Sequence, residues 1–427
     1  MSGRPPGTSR AGWLVRRLAI DITPLRVSRD FRLLWSGVFV SELGYQFTRV
    51  ALYIQVYDLT RSTAAIGLLG LTGLAGQTLG TLVASSFIDA HDRRRILAWT
   101  QVALAVVTAG LLATSLGTTP RLWELYALAA AIWFIGAIES PARNAMTARL
   151  VGKDLIPSAL ALYQVLWQTV QIAGPALGGV LIAATSPAWA YGIDLVSYAA
   201  LLIAAIAMNP MPPEPGAGTA TGVRAAGEGL RYLRNHRLLR STLVIDLFAM
   251  IFGLPVALFP AIAITQFHRG TAVVGLLFAA PAVGALLQAL AGGWVKRVRR
   301  QGEVVIWAVV AWGAAITAFG VVGSHLWLAL FFLAVAGAAD VISAIFRSTI
   351  LQITVPDELR GRLAGIFMLV VSGGPKLGDL EAGLVASAFS PTISVISGGI
   401  ACMVGAVIVA ARYPELRRYR AELPTPE

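Results

Sequence analysis

Charged residues are scarce in this sequence. Only 13% of its 427 residues are Asp, Glu, Lys or Arg, whereas 56% are hydrophobic, and the mean hydropathy is +0.71. A water-soluble protein of this length could not cover its surface with so few charges, so the composition excludes that class. The apolar runs are long and show no strand-like alternation, which favours membrane-spanning α-helices over a β-barrel.

Cysteine and histidine are also rare. The one cysteine, Cys402, excludes an internal disulfide and a cysteine-bound metal cluster. The four histidines fall in predicted loops or at the ends of apolar segments, which argues against a buried histidine metal site or proton relay. No G-x-x-x-x-G-K-S/T phosphate loop occurs, so ATP is not indicated as an energy source. We expect no cofactor, no metal site and no enzymatic activity.

Twelve apolar segments are each long enough to cross a bilayer as an α-helix. Of the 34 Lys and Arg residues, 29 fall at the termini or in alternate connections, with Arg143 and Arg347 among those assigned to connections. By the positive-inside rule, this asymmetry predicts that both termini are cytoplasmic. It also accounts for the net charge of +12 without a nucleic-acid partner. The predicted spans are residues 32–57, 65–88, 96–117, 122–141, 158–185, 188–208, 241–266, 271–295, 303–323, 326–347, 361–388 and 391–412.

A repeat divides the chain in two. The Gly-Pro-x-x-Gly pattern of Gly174–Gly178 returns at Gly374–Gly378, and the segments that begin at Arg143 and Arg347 also align. We therefore predict an all-α integral membrane protein with twelve transmembrane helices in two six-helix bundles. Its predicted parts are a cytoplasmic segment 1–30, a bundle 31–208, a linker 209–240 with a basic amphipathic helix, a bundle 241–413 and a cytoplasmic tail 414–427.

Four segments carry a resemblance to a known family: Asp30–Trp35, Ser85–Arg95, Gly174–Gly179 and Val355–Arg362. On a 6+6 frame they resemble the major facilitator superfamily of secondary transporters, and most of all its bacterial branch of enterobactin and drug exporters. The resemblance implies that two bundles rock about a central cavity to give alternating access. Gly174–Gly179 is similar to a fifth-helix motif of proton antiporters. Ser85–Arg95 is similar to a loop motif that implies a cytoplasmic latch between the halves in the outward-facing state, formed here by Asp89, Arg93 and Arg94.

Two polar stripes inside apolar segments predict the wall of a substrate cavity. Their members recur at helical spacing, and ionisable residues within a membrane span normally face a cavity or a partner. The alternatives are a structural ion pair for the first stripe and hydrogen bonds between helices for the second. The stripes are Glu42, Tyr45, Gln46, Arg49 and Tyr53 in the first segment, and Gln164, Trp167, Gln168 and Gln171 in the fifth.

The candidates for proton coupling are three acids within predicted spans: Glu42, Asp379 and Asp340. Lys376 and Asp379 are three residues apart on one helix, so they can pair. A static pair that lowers the cost of burial is the alternative to a proton carrier. We interpret Asp194 and Asp246 as structural or close to a membrane interface.

Glycine and proline within spans predict bending and close helix packing. The glycine face of the second segment, from Gly67 to Gly80, predicts close packing, and the resemblance implies that it slides against the eleventh helix. The hinge and packing residues of the fifth and eleventh segments are Gly174, Pro175, Gly178, Gly179, Gly374, Pro375 and Gly378.

These features predict a monomeric exporter in the bacterial inner membrane. It would move an amphipathic small molecule, such as a siderophore, antibiotic or drug, in exchange for protons. An importer or a lipid flippase on the same fold is the alternative within transport. A membrane enzyme or a non-transporting scaffold is the alternative outside it.

Overall fold

The computed structural model describes residues 21–117, 120–212 and 231–421. Most of the predicted linker 209–240 lies outside these ranges, and the side chain of Asp89, within the first of them, is also outside what the structure describes. All regular structure within them is helical. We number the main helices α1 Arg29–Thr60, α2 Thr63–Ala90, α3 Arg93–Leu116, α4 Leu122–Val151, α5 Ile156–Ala184, α6 Pro187–Ala207, α7a Arg237–Phe252, α7b Phe259–Thr265, α8 Thr271–Leu290, α9 Gln301–Val321, α10 Leu326–Thr354, α11 Asp357–Ala388 and α12 Pro391–Arg412.

Side-chain caps define several helix starts. Ser28, Ser62, Asp92 and Ser390 accept a backbone hydrogen bond from the first turns of α1, α2, α3 and α12. These caps satisfy N–H groups that have no partner within the helix. At the other end of α4, Gly152 has a φ of +73°, which glycine adopts without strain.

Within the described residues, ten helical segments are long and apolar enough to cross a membrane, judged by length and composition. They are α2 to α6, α7a and α7b taken together, α8 to α10, and α12. The other two long helices, α1 and α11, have 32 residues each and carry the charged residues discussed below. Large apolar side chains cover the outer surface, as Trp307 and Trp327 show at 69% and 79% exposure. Such a surface suits contact with lipid.

The first six helices and the last six are packed in the same way. In the N-terminal set, α1 packs on α5 and α6, α2 on α4, and α3 on α4 and α6. In the C-terminal set, α7a packs on α11 and α12, α8 on α10, and α9 on α10 and α12. The packing partners within one set therefore correspond to those within the other.

The repeated glycines occupy matching places in the two sets. A Cβ atom at Gly174 would lie 2.5 Å from the side chain of Gln46 on α1, and one at Gly374 would lie 2.6 Å from that of Met250 on α7a. Pro175 and Pro375 directly follow these two glycines and lie inside α5 and α11. The two Gly-Pro motifs therefore allow α5 and α11 to approach the first helix of their own set.

Two close helix pairs join the sets. On one side, α2 packs on α11, where a Cβ at Gly70 would lie 2.3 Å from the carbonyl oxygen of Lys376. On the other, α5 packs on α8, where a Cβ at Gly179 would lie 2.7 Å from the Cα of Gly275. Both contacts lie far from the end of the molecule where Asp30 and Asp92 bind residues 209 and 211. We call that end proximal and the opposite end distal.

Three predicted spans differ from the structure. The spans 122–141 and 326–347 were too short, because α4 and α10 continue to Val151 and Thr354. Arg143 and Arg347 were wrongly assigned to connections: both are helical and buried, at 6% and 1% exposure. The span 241–266 is not one continuous helix, since it breaks between α7a and α7b, where Trp312 donates to the carbonyl of Gly253.

Candidate functional site

A cavity of about 600 Å³ lies among the N-terminal helices. It runs from a floor at Arg49, Gln77 and Ser372 towards the proximal end at Thr81 and Asn144. Helices α1, α2, α4 and α5 supply most of its lining, and Ser372 of α11 closes it from the C-terminal set. The volume is that of a site for a small organic molecule.

Six of the nine predicted cavity residues line this space. The stripe on α1 contributes because its spacing keeps four side chains on one face. Tyr53 lies deeper, in contact with α11, and Gln164 and Gln168 do not line the cavity. The lining residues that were predicted are Glu42, Tyr45, Gln46, Arg49, Trp167 and Gln171.

A buried ion cluster occupies the cavity wall. The Arg143 guanidinium donates to Glu42 at 2.8 Å and to Glu139 at 3.2 Å. Gln101 donates to the other oxygen of Glu139 at 3.0 Å, and the Arg143 guanidinium lies 5.3 Å from the centroid of the Trp167 ring. Two carboxylates thus surround one guanidinium in a site with little access to water, which leaves one acid in excess.

The C-terminal set has a related cluster at matching positions. Arg347 on α10 forms a salt bridge with Asp246 on α7a at 2.5 Å, and both side chains are buried. Arg143 and Arg347, like Glu42 and Asp246, are 204 residues apart. At that offset, Ser343 stands in the place of Glu139. Asp246 therefore pairs with Arg347 across two helices, and its interpretation as a structural residue stays a prediction.

Two other acidic residues within the predicted spans are Asp194 and Asp340. Asp194 is fully buried and accepts hydrogen bonds from Ser197 and Tyr198 of its own helix, α6. Asp340 lies one turn before Ser343 on α10, and its Oδ1 is buried without a hydrogen-bond partner in the described part of the chain. Its role in proton coupling remains a prediction.

The floor of the cavity carries Arg49. Its guanidinium donates to the side-chain oxygens of Gln46 at 3.2 Å and Gln171 at 3.4 Å. Gln46 in turn donates to Gln171. The guanidinium also lies 5.1 Å from the ring centroid of Phe278 on α8. Arg49 therefore meets both sets of helices through neutral side chains.

Asp379 and Lys376, both among the described residues, form no salt bridge with each other, although their spacing allows a pair. Asp379 accepts hydrogen bonds from the hydroxyl of Tyr53 at 2.7 Å and from the backbone N–H of Ala257 at 3.0 Å, in the break of α7. Lys376 donates to Gln77 and lies 3.8 Å from the ring centroid of Trp133. Each charge has a partner in the N-terminal set, so both hold the two sets together.

Two of the three predicted latch residues, Arg93 and Arg94, bind within the N-terminal set in this conformation. Arg94 donates to the backbone carbonyl of Met208 at 2.8 Å, beyond the last residue of α6. The backbone of Arg93 donates to Met211. A contact between the halves through these residues, expected in the outward-facing state, remains a prediction.

Sequence reasoning missed several residues of the site. Glu139 and Arg143 are the most important: Arg143 was assigned to a connection at the edge of the membrane, and Glu139 was not singled out within the span 122–141. Their spacing of four residues, which places them on one helical face, was the available signal. The other missed lining residues include Ser41, Gln77, Trp133, Asn144, Tyr198 and Ser372.

Known proteins are similar in sequence to this chain over almost its whole length. The family model of transmembrane secretion effectors matches residues 20–423. The enterobactin exporter EntS of Citrobacter koseri is 26% identical over 98% of this chain and 99% of its own length. The same exporter of Salmonella typhi is 25% identical over 97% and 99%.

Solved transporter structures share the helix arrangement. The nucleoside transporter NupG has a TM-score of 0.68 at 14% identity, over 92% of this chain and 100% of its own. A bacterial homologue of the lysosomal transporter Spinster, inward-facing and unoccupied, has 0.68 at 16%, over 91% and 96%. At such identity these structures establish the fold alone. Together with the family match, they confirm the predicted resemblance: this multi-pass membrane protein belongs to the transmembrane secretion effector family of major facilitator superfamily transporters.

Proposed function

We propose that this protein is a proton-coupled exporter of an amphipathic small molecule, working by alternating access. Its twelve helices, α1 and α11 included, span the bacterial inner membrane as two six-helix bundles with both termini in the cytoplasm. The proximal end then faces the cytoplasm. The two curated relatives are named as enterobactin exporters, which supports outward transport and makes enterobactin the first compound to test.

One observation carries the proposal: the cavity reaches towards the proximal end while the distal ends of the two sets are in contact. Thr63, at the start of α2, donates to the carbonyl of Gly383 near the end of α11, and Gln77 donates to Ser372 near the middle of the same two helices. Together with the α5–α8 contact, they close the distal side. This geometry supports the proposal of an inward-facing state that is open to cargo from the cytoplasm.

The excess acid beside Arg143 supports proton coupling. Because two carboxylates share one guanidinium, a proton on either of them would leave the cluster neutral. Glu42 lines the cavity and is the more exposed of the two, with 18% side-chain exposure against 10% for Glu139. We therefore assign the exchangeable proton to this cluster first.

Glu42→Gln is expected to lower efflux driven by a pH gradient by about tenfold or more, because an amide cannot carry the proton. Uptake of enterobactin into inverted membrane vesicles measures this rate. Counterflow, which exchanges labelled for unlabelled cargo without net proton movement, should persist in the variant. Glu303→Gln removes a surface acid of α9 and should leave both rates unchanged. A wild-type rate of gradient-driven uptake in Glu42→Gln would remove this residue from coupling.

Asp379→Asn is also expected to abolish efflux driven by the pH gradient, since Asp379 is the acid at the distal contact. Tyr53→Phe separates proton transfer by Asp379 from its role as a contact between the sets. The substitution removes the hydrogen bond from the Tyr53 hydroxyl but keeps the carboxyl group of Asp379. If Asp379 carries a proton, Tyr53→Phe retains coupled transport in the same vesicle assay. If both variants lose transport equally, Asp379 acts only as a contact between the sets.

A further inference from the structure

Arg49 presents a positive charge to the cavity without direct contact to a carboxylate. In the part of the chain that the structure describes, its guanidinium forms no salt bridge. Its hydrogen-bond partners are the neutral amides of Gln46 and Gln171. Such a guanidinium in a low-dielectric site is poorly compensated.

The charges around the cavity floor do not cancel. Lys376 adds a second positive charge close to the floor, because its partner Gln77 and the Trp133 ring beneath it both line the cavity. Among the described residues, the acid close to these two cations is Asp379, and its two oxygens accept hydrogen bonds from Tyr53 and Ala257. Two cations against one carboxylate leave the floor with one excess positive charge.

The opposite excess lies nearer the proximal end. Glu42 is seven residues before Arg49 on α1, which places it about 10 Å towards the proximal end at 1.5 Å per residue. Together with Glu139 it outnumbers Arg143 by one charge. A ligand in this cavity therefore meets a positive floor and an acidic wall, separated by about two helical turns.

We propose that the floor is the binding subsite for a single anionic group of the cargo, with Arg49 as its direct contact. The planar guanidinium presents paired N–H donors that match a carboxylate or a similar oxyanion. The apolar body of the cargo then extends towards Tyr45 and Trp133, and the acidic wall disfavours a second negative group there. This inference rests on the proposed function, since it assigns the substrate class of the same cavity: amphipathic organic anions, bound with the charge towards the distal end.

The test is a binding measurement with two probes of equal shape and opposite charge. Equilibrium dialysis of 2-naphthoate and of 2-naphthylmethylammonium is carried out with the full-length protein in lipid nanodiscs, with empty nanodiscs correcting for partition into lipid. Wild-type protein is expected to bind the naphthoate more tightly. Because a hydrogen-bonded charge contact is lost, Arg49→Gln should weaken naphthoate binding by about tenfold or more and leave ammonium binding unchanged or stronger.

Two variants control for charge and folding. Arg49→Lys keeps the positive charge and should retain a preference for the naphthoate. Arg61→Gln removes an arginine from the distal surface, where its side chain is 62% exposed, and should bind both probes as the wild type does. The thermal midpoint of each purified variant shows whether it is folded.

Any other pattern overturns the inference. Undetectable naphthoate binding, equal binding of the two probes, tighter binding of the ammonium, or an Arg49→Gln variant with wild-type affinity would each show that the floor is not an anion subsite. The measurement needs neither a proton gradient nor transport. Failure of coupled efflux in vesicles would therefore count against the proposed function and leave this result standing.

Discussion

Arg143→Met is expected to destabilise the protein by about 3–5 kcal/mol and to abolish transport, because it leaves two carboxylates buried without their shared cation. Arg143 is 6% exposed and holds Glu42 and Glu139 at hydrogen-bond distance. The loss should appear as a lower thermal midpoint of the protein purified in detergent and as absent uptake in inverted vesicles. This is the largest effect that we expect from a single side chain.

Two controls separate burial of charge from loss of the arginine itself. Arg149→Met removes an exposed arginine from the same helix, where it donates to the carbonyl of Pro212, and should cost less than about 1 kcal/mol. The triple variant Glu42→Gln, Glu139→Gln, Arg143→Met removes all three charges and should regain much of the stability while remaining uncoupled. Wild-type stability of Arg143→Met alone would contradict a buried cluster at this place.

Gly70→Val is expected to stop transport, because the distal contact between α2 and α11 has no room for a side chain. The added Cβ would lie 2.3 Å from the carbonyl oxygen of Lys376, a backbone atom that can move only if the helices separate. We therefore expect the distal side to open. A cysteine placed at Gln171 should then react with a membrane-impermeant maleimide added from the distal side, whereas the same cysteine is protected when Gly70 is present.

Two further substitutions serve as controls for the labelling experiment. The buried Cys402 is the single native cysteine, so Cys402→Ala removes unwanted reaction. Gly192→Val makes the same substitution on α6, where nothing lies within 4 Å of the added Cβ, and should preserve transport and protection. If Gly70→Val transports normally and its cysteine at position 171 stays protected, then transport does not require the close contact of α2 and α11 at Gly70.

Sequence periodicity predicted the parts of the site that depend on one helix. The side chains of Glu42, Tyr45, Gln46 and Arg49 line the cavity because helical spacing alone decides that they share a face. The family, the helical class and the internal repeat could be predicted for a related reason, since long apolar runs and repeated Gly-Pro motifs are local in the chain. The comparisons with known proteins confirm the family.

Contacts between distant helices could not be predicted in this way. Arg143 looked like the end of a span because an isolated arginine in a membrane is costly, and its partner Glu42 lies 101 residues away in the chain. Lys376 and Asp379 looked like a pair because they are close in sequence. In the folded protein each has a neighbour from the other set of helices, Gln77 or Tyr53, that satisfies it. Only the packing of α1 and α2 on α11 reveals this.

The excess acid beside Arg143 has an electrical consequence. If that cluster carries one proton inward in each cycle while one singly charged anion leaves, each turnover transfers a net charge of +2 into the cell. At about 2.3 kcal/mol per charge for 100 mV, the membrane potential then supplies about 4.6 kcal/mol. That energy sustains a cargo gradient on the order of a thousandfold. Such a transporter would keep exporting after the pH difference had collapsed, for as long as the voltage remained.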